Sequence, residues 1–288
     1  MSSLVHELVE SGIHFGQRRS NWNPRMAPYI FATRNGIHII DIKETVKGLL
    51  LAKKYISKIV SDGKDVLFVG TKRQAQAALE QYASGVKMPY VTERWLGGTL
   101  TNFRTIRERL KRLEELERLM ESGEIKNYSK KMESQLTREQ KKIFRNLNGI
   151  RTMHRLPGAI VVVDTNREKN ALLEAKNLGI PTICLIDTDG DPELADIPIP
   201  GNDDSMRSID VVVRELCGAV SDGLGHRQVA EQTASKGGDH RGGERHDRTE
   251  GGKTEDGGAP RRRSSRSRFK ADGGGDETST EVPATNAE

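Results

Sequence analysis

The sequence predicts an α/β domain with a parallel sheet covered by helices on both faces, and three observations carry that prediction. Asp65-Val-Leu-Phe-Val69, Ala159-Ile-Val-Val-Val163 and Thr182-Ile-Cys-Leu-Ile186 are continuous apolar runs of the length expected for strands buried on both sides. Each run ends in a polar turn, and helical stretches follow at 73–84, at 167–178 and, beyond the third, at 205–220. Gly179-Ile-Pro181 separates the second helix from the third strand, because Gly suits a helix C-cap and Pro stops continuation.

The remaining elements follow in chain order. Tyr29-Ile-Phe-Ala-Thr33 and Ile37-His-Ile-Ile40 flank Asn35-Gly36, a strong short signal for an N-terminal β-hairpin. Asp41 stands three residues before Glu44, a capping-box-like start for a helix reaching about Ser61. Ile106, Leu110, Leu113, Leu116 and Met120, then Leu136, Ile143, Leu147 and Ile150, recur at helical spacing around a polar break at 122–134. Two narrow apolar stripes between strands predict an antiparallel helical hairpin, an arm inserted at 104–155. From 227 to 288 there are 11 Gly and only Val229, Phe269 and Val282 of the Leu, Ile, Val and Phe set, too little apolar surface to offset ordering entropy. The expected organisation is an α/β domain of 1–103 and 156–226, the arm, and a disordered polar extension.

Charge is distributed unevenly. The 288 residues carry 46 Lys+Arg and 41 Asp+Glu, a net +5 that hides +6 over 1–103, +7 over 104–155, −8 over 156–226 and zero beyond. Such polarity suggests a polyanion partner for the basic part. The acidic segment is expected on a face turned away from that partner or towards basic neighbours. No apolar run approaches the roughly 18 residues of a membrane helix, and Met1-Ser-Ser-Leu-Val-His-Glu7 lacks the pattern of a secretory leader. Two cysteines, Cys184 and Cys217, make no disulfide framework and suit a reducing cytoplasm.

Catalytic readings are weak. Gly70-Thr71-Lys72 follows a strand and opens a helix, but it lacks the longer loop of a nucleotide-binding phosphate cradle. Asp187-Thr-Asp189-Gly-Asp191 misplaces its Gly for a calcium loop and has Pro198 where a bidentate Glu is needed, so a turn is the simpler reading. His14, His38 and His154 are scattered without metal-ligand spacing. No cofactor, metal or catalytic residue is expected. The competing reading is a nucleotide-binding enzyme using the crevice at the strand ends near Thr71, Asp164 and Asp187.

Nucleic-acid signals are stronger. Arg18, Arg19, Asn21, Trp22, Asn23 and Arg25 fall within eight residues; guanidinium forks grip phosphates and aromatic faces accept stacked bases. Arg94, Trp95, Asn102 and Arg104 form a second such segment around Gly97 and Gly98. Lys72 and Arg73 at a helix start, and Arg107, Lys111, Lys130, Lys131, Lys141, Lys142 and Arg145 on the arm, complete the expected RNA-binding set.

Several longer motifs then resemble a known family. Gly12-Ile-His-Phe-Gly16, Trp22-Asn-Pro24, Arg34-Asn-Gly-Ile-His-Ile-Ile-Asp41, Leu67-Phe-Val-Gly-Thr-Lys72, Arg94-Trp-Leu-Gly-Gly-Thr-Leu-Thr-Asn-Phe103, Leu178-Gly-Ile-Pro181 and Pro198-Ile-Pro-Gly-Asn-Asp203 occur in order across residues 4–222. The sequence resembles the bacterial-type family of small ribosomal subunit protein S-two. That resemblance implies a flavodoxin-like three-layer domain with a coiled-coil arm and no catalysis. It also implies a place on small-subunit ribosomal RNA at the head–body junction, contact with other small-subunit proteins, a docking role for the messenger-binding protein S-one, and work as a single copy, not a homo-oligomer. The family commonly has His where this chain has Gln17, and usually Lys where it has Arg25.

Overall fold

The computed structural model describes residues 2–237. Five parallel strands form the main sheet: β4 (Val66–Val69), β5 (Tyr90–Val91), β6 (Ala159–Val163), β7 (Thr182–Ile186) and β8 (Ile197–Pro200), in the order β5-β4-β6-β7-β8. Within this sheet the chain runs outward from β4 to β5 and then returns to β6 on the other side. The connection reverses direction at the C-terminal ends of β4 and β6, where doubly wound sheets open a crevice.

Alternate residues of each central strand enter two separate cores. Val66, Phe68, Val161, Val163, Ile183 and Leu185 meet the helices α1 (Ser2–Glu10), α2 (Ile42–Ser61), α3 (Arg73–Gly85) and α7 (Met206–Gly237) on one face. Leu67, Val69, Ile160, Val162, Cys184 and Ile186 meet α6 (Lys169–Leu178), the start of α4 (Phe103–Glu121) and the residues around the end of α5 (Lys130–Leu147) on the other. Burial on both faces is the physical reason these strands read as unbroken apolar runs.

Ahead of this sheet, β1 (Phe15–Arg18), β2 (Ile30–Arg34) and β3 (Ile37–Ile40) make a three-stranded antiparallel sheet in the order β1-β3-β2. β2 and β3 pair across Asn35 and Gly36, both in the left-handed region at φ 52° and 76°, the conformation a tight primed turn demands. Asp41 caps α2 through the Lys43 amide at 2.9 Å, while Glu44 pairs with Lys47 at 3.1 Å instead of reaching back. Gly179, at φ 65°, ends α6. α4 and α5 also touch one another, with Arg112 paired to Glu139 at 3.5 Å, and Leu113 and Leu116 of α4 are buried.

Five elements depart from the sequence reading. α1, β1, β5 and β8 were not expected, and β8 is an edge strand of sequence Ile-Pro-Ile-Pro, since prolines cannot donate to a ladder. α7 continues to Gly237, so the extension expected from Arg227 begins inside a helix; what was expected of residues beyond 237 lies outside the described residues.

Gly48 marks where α2 crosses β8. A Cβ there would sit 2.4 Å from the Pro198 carbonyl oxygen and 3.3 Å from the Ile199 Cα. Ala in a helix interior ordinarily gains about 1 kcal/mol over Gly. Here backbone must shift, so Gly48→Ala is expected to lower stability by about 1–3 kcal/mol, measured by urea unfolding; a more stable variant would show that β8 yields freely.

Candidate nucleic-acid interface

The basic segment after β1 is held on the C-terminal edge of the parallel sheet. Gln17 N donates to Thr188 Oγ1 and Asn23 N to the Thr188 carbonyl, each at 2.8 Å. Asn23 Oδ1 accepts from the Arg25 amide at 3.0 Å, capping the short turn that Pro24 opens. Trp22 is half-buried, its ring 5.1 Å from that of the buried His38. Arg18, Arg19 and Asn21 stand exposed, and among the described residues neither guanidinium meets a carboxylate. Arg25 differs, because it donates to Asp191 at 2.6 Å and lies 3.2 Å from Glu193.

Trp95 does not present its ring to solvent. It packs in the second core at 9 % exposure with Nε1 donating to Glu174 at 3.0 Å. The same carboxylate accepts from Gly98 N at 2.8 Å, Leu100 N at 3.0 Å, and Thr101 N and Oγ1 at 3.2 Å. Burial alone would raise its pKa, but these donors hold it below the ordinary Glu value. Trp95 as a base-stacking residue is therefore corrected to a structural anchor. Arg94 and Arg104 flank this loop in exposed positions, and Asn102 starts α4 with its side chain accepting from Thr105 at 2.9 Å.

Lys72 requires a second correction. It is 8 % exposed, with Nζ 2.6 Å from both Asp203 and Asp204 and 3.5 Å from Asp164. Burial works against its charge, yet the Asp203 and Asp204 hydrogen bonds and the Asp164 field hold its pKa above the ordinary value. Asp203, raised first by burial and then by Asp164, reaches about 8, and Asp187, raised mainly by burial, about 6. Gln17 donates to Asp187 at 3.2 Å and to Asp204 at 2.6 Å. Asp187, Asp203 and Asp204 bring carboxylate oxygens within 4.8 Å of one another, a group that could hold a cation; amide and ammonium donors of the chain itself already occupy much of their acceptor capacity. This ammonium is spent on neutralising carboxylates and is not offered to a phosphate.

The crevice at the strand ends is thus unsuited to an anionic nucleotide. Asp164, Asp187, Asp189, Asp203 and Asp204 crowd it, and the Thr71 amide and hydroxyl, which a phosphate would need, both donate to the buried Glu168 at 2.7 and 2.5 Å. The acidic segment also sits beside the 18–25 loop, since Asn23 N donates to the Thr188 carbonyl and Arg25 pairs with Asp191. No sequence pattern joins Gln17, Lys72, Asp187 and Asp203; only the sheet topology does.

On α4 and α5 the expected cations are mostly exposed. Lys111, Lys130, Lys131, Lys141 and Lys142 have no ion pair among the described residues, as does Arg73 at the start of α3. Arg107 donates to the Met153 carbonyl at 3.1 Å and lies 2.7 Å from His154 Nδ1, while Arg145 donates to Glu93 at 2.7 Å. Phe31, at 76 % exposure on β2, is an outward aromatic that carried no signal as a single Phe in a strand. No helix among the described residues is long and apolar enough to cross a membrane.

Comparison with known proteins places the chain in a family. Residues 8–223 match the family model described as ribosomal protein S2. The small ribosomal subunit protein uS2 of Rhodopirellula baltica is 58 % identical over 228 residues, covering 79 % of this chain and 88 % of that protein. The chain therefore belongs to the ribosomal protein S2 family, whose members are structural proteins of the ribosome and not enzymes.

Proposed function

We propose that this chain is a structural constituent of the small ribosomal subunit that binds small-subunit ribosomal RNA at the head–body junction, contacts neighbouring small-subunit proteins and helps dock the messenger-binding protein S-one. The observation that carries RNA binding is the set of exposed, carboxylate-free cations at Arg18, Arg19, Arg73, Lys111, Lys130, Lys131, Lys141 and Lys142. Arg94, Arg104, Arg107, Asn21, Asn23 and the partly covered Trp22 extend the surface. Cations of this kind bind phosphates with counterion release, and shape, not base sequence, governs recognition of A-form helices. In this reading the main domain is flavodoxin-like with an N-terminal hairpin, and α4 and α5 act as a rigid coiled-coil arm that sets docking geometry.

Gradient sedimentation of cell lysate tests it. One copy per small subunit is expected at moderate salt, with release only at high salt. Recovery in the soluble fraction alone, or at far below one copy per subunit, would overturn the reading.

A further inference from the structure

The basic excess of α4 and α5 belongs to one of them. α4 carries six cations and five carboxylates, whereas α5 carries six cations and two. At 3.6 residues per turn, Lys131, Gln135, Arg138, Lys142 and Arg145 fall along one line of α5, with Ser134, Lys141 and Lys130 on its flank. This sector spans about 140° and about 22 Å of helix. It holds all six cations of α5 and no carboxylate, because Glu133 and Glu139 lie outside it. Every one of the six is exposed, and among the described residues only Arg145 has an ion pair, to Glu93.

α4 offers no such sector. Glu108 and Glu115 lie among Arg104, Lys111 and Arg112, and the helix ties up charge in Arg104–Glu108, Arg112–Glu115 and Glu117–Arg151 pairs. We infer that α5, and not α4, is the face laid along the phosphate backbone of double-helical small-subunit ribosomal RNA. The inference rests on the ribosomal reading above and narrows it to one surface. An acidic protein partner fits less well, because the sector contains no apolar or aromatic side chain to form the dry centre that protein interfaces require. A one-signed straight stripe on a rigid helix needs only phosphates opposite it.

The test uses the full-length protein and purified small-subunit ribosomal RNA over a salt series. Two variants each remove two charges from exposed positions: Lys131→Ala with Lys142→Ala on α5, and Arg109→Ala with Arg118→Ala on α4. Alanine favours both helices, and unchanged helical dichroism checks the fold. The α5 variant is expected to bind roughly 20-fold more weakly near 0.1 M salt, with its salt slope reduced by about 2. The α4 variant should change by less than about threefold. Equal losses in the two variants, or an α5 variant that keeps RNA affinity yet loses a protein neighbour, would overturn the inference while leaving the ribosomal reading intact. Failure of the unaltered protein to bind the RNA would instead bring down that reading.

Discussion

Lys72→Met is expected to destabilise the protein by about 3–5 kcal/mol at pH 8, the range for removing one partner of a buried ionic group, and by markedly less at pH 5. The ammonium holds Asp203 and Asp204 at 2.6 Å and Asp164 at 3.5 Å, and methionine fills the same volume without answering any of those charges. Because the folded pKa of Lys72 is raised, its contribution is fully present below 10.5 and is lost only as pH climbs through the folded value. Asp203 and Asp187 have folded values raised to about 8 and about 6 from an ordinary 3.8. Between these limits the folded state holds protons that the unfolded chain has released, so the pair lowers stability as pH rises from about 4 to about 8. At pH 5 both are largely protonated and the variant has less repulsion to suffer. Urea unfolding of both proteins at pH 5, 6, 7 and 8 gives the difference directly; a deficit independent of pH would show that Lys72 acts by packing alone. Asp203→Asn should flatten the profile of the unaltered protein.

This network also occupies the switch point of the doubly wound sheet with the chain's own charged groups. The crevice that elsewhere receives phosphates is filled by a Lys–Asp cluster and by the Glu168 carboxylate on the Thr71 amide. Its chemistry is turned to holding the N-terminal loop in place: Gln17 reaches Asp187 and Asp204, and Arg25 reaches Asp191. The acidic character of residues 156–226 is therefore partly internal counter-charge. That leaves Arg18 and Arg19, one and two residues beyond Gln17, projecting from a fixed platform.

What the sequence revealed and concealed follows from the range of the interactions involved. The three central strands, the helix 42–61 and the helices α4 and α5 were legible because apolar periodicity and end signals are local. β8 was hidden by its prolines, and the last eleven residues of α7 by the polar, Gly-rich composition around them. Among the candidate residues, the exposure of Arg18, Arg19 and the α5 lysines was legible because a charged side chain with no nearby carboxylate is exposed by default. Lys72 and Trp95 were not, since the partners that claim them, Asp203 and Glu174, lie 131 and 79 residues away along the chain. A cation or an indole in a glycine-bounded loop looks the same in sequence whether it faces RNA or a buried carboxylate.

The second large effect is expected at Glu174. Its two oxygens accept from the Trp95 indole and from the amides of Gly98, Leu100 and Thr101, so one side chain on α6 organises the whole 95–102 loop that leads into α4. Alanine would leave these donors without an acceptor, at about 1–3 kcal/mol for each one that stays buried. Since the loop can relax towards water, the net loss is expected at about 3–5 kcal/mol. Glu174→Gln is the sharper variant: its amide nitrogen must face either the Trp95 and Gly98 donors or the Leu100 and Thr101 donors, so it restores one set and opposes the other. It should fall between alanine and the unaltered protein. The folded pKa of Glu174 is held below the ordinary 4.5, so its contribution is present above that value and fades as pH falls through the lower folded one. The alanine deficit should shrink correspondingly in acid. Unfolding at pH 7 and pH 3.5, with Trp emission followed to report exposure of the Trp95 ring, checks both claims, and equal stability of the glutamine and unaltered proteins would show that the loop is held by its apolar contacts and not by this carboxylate.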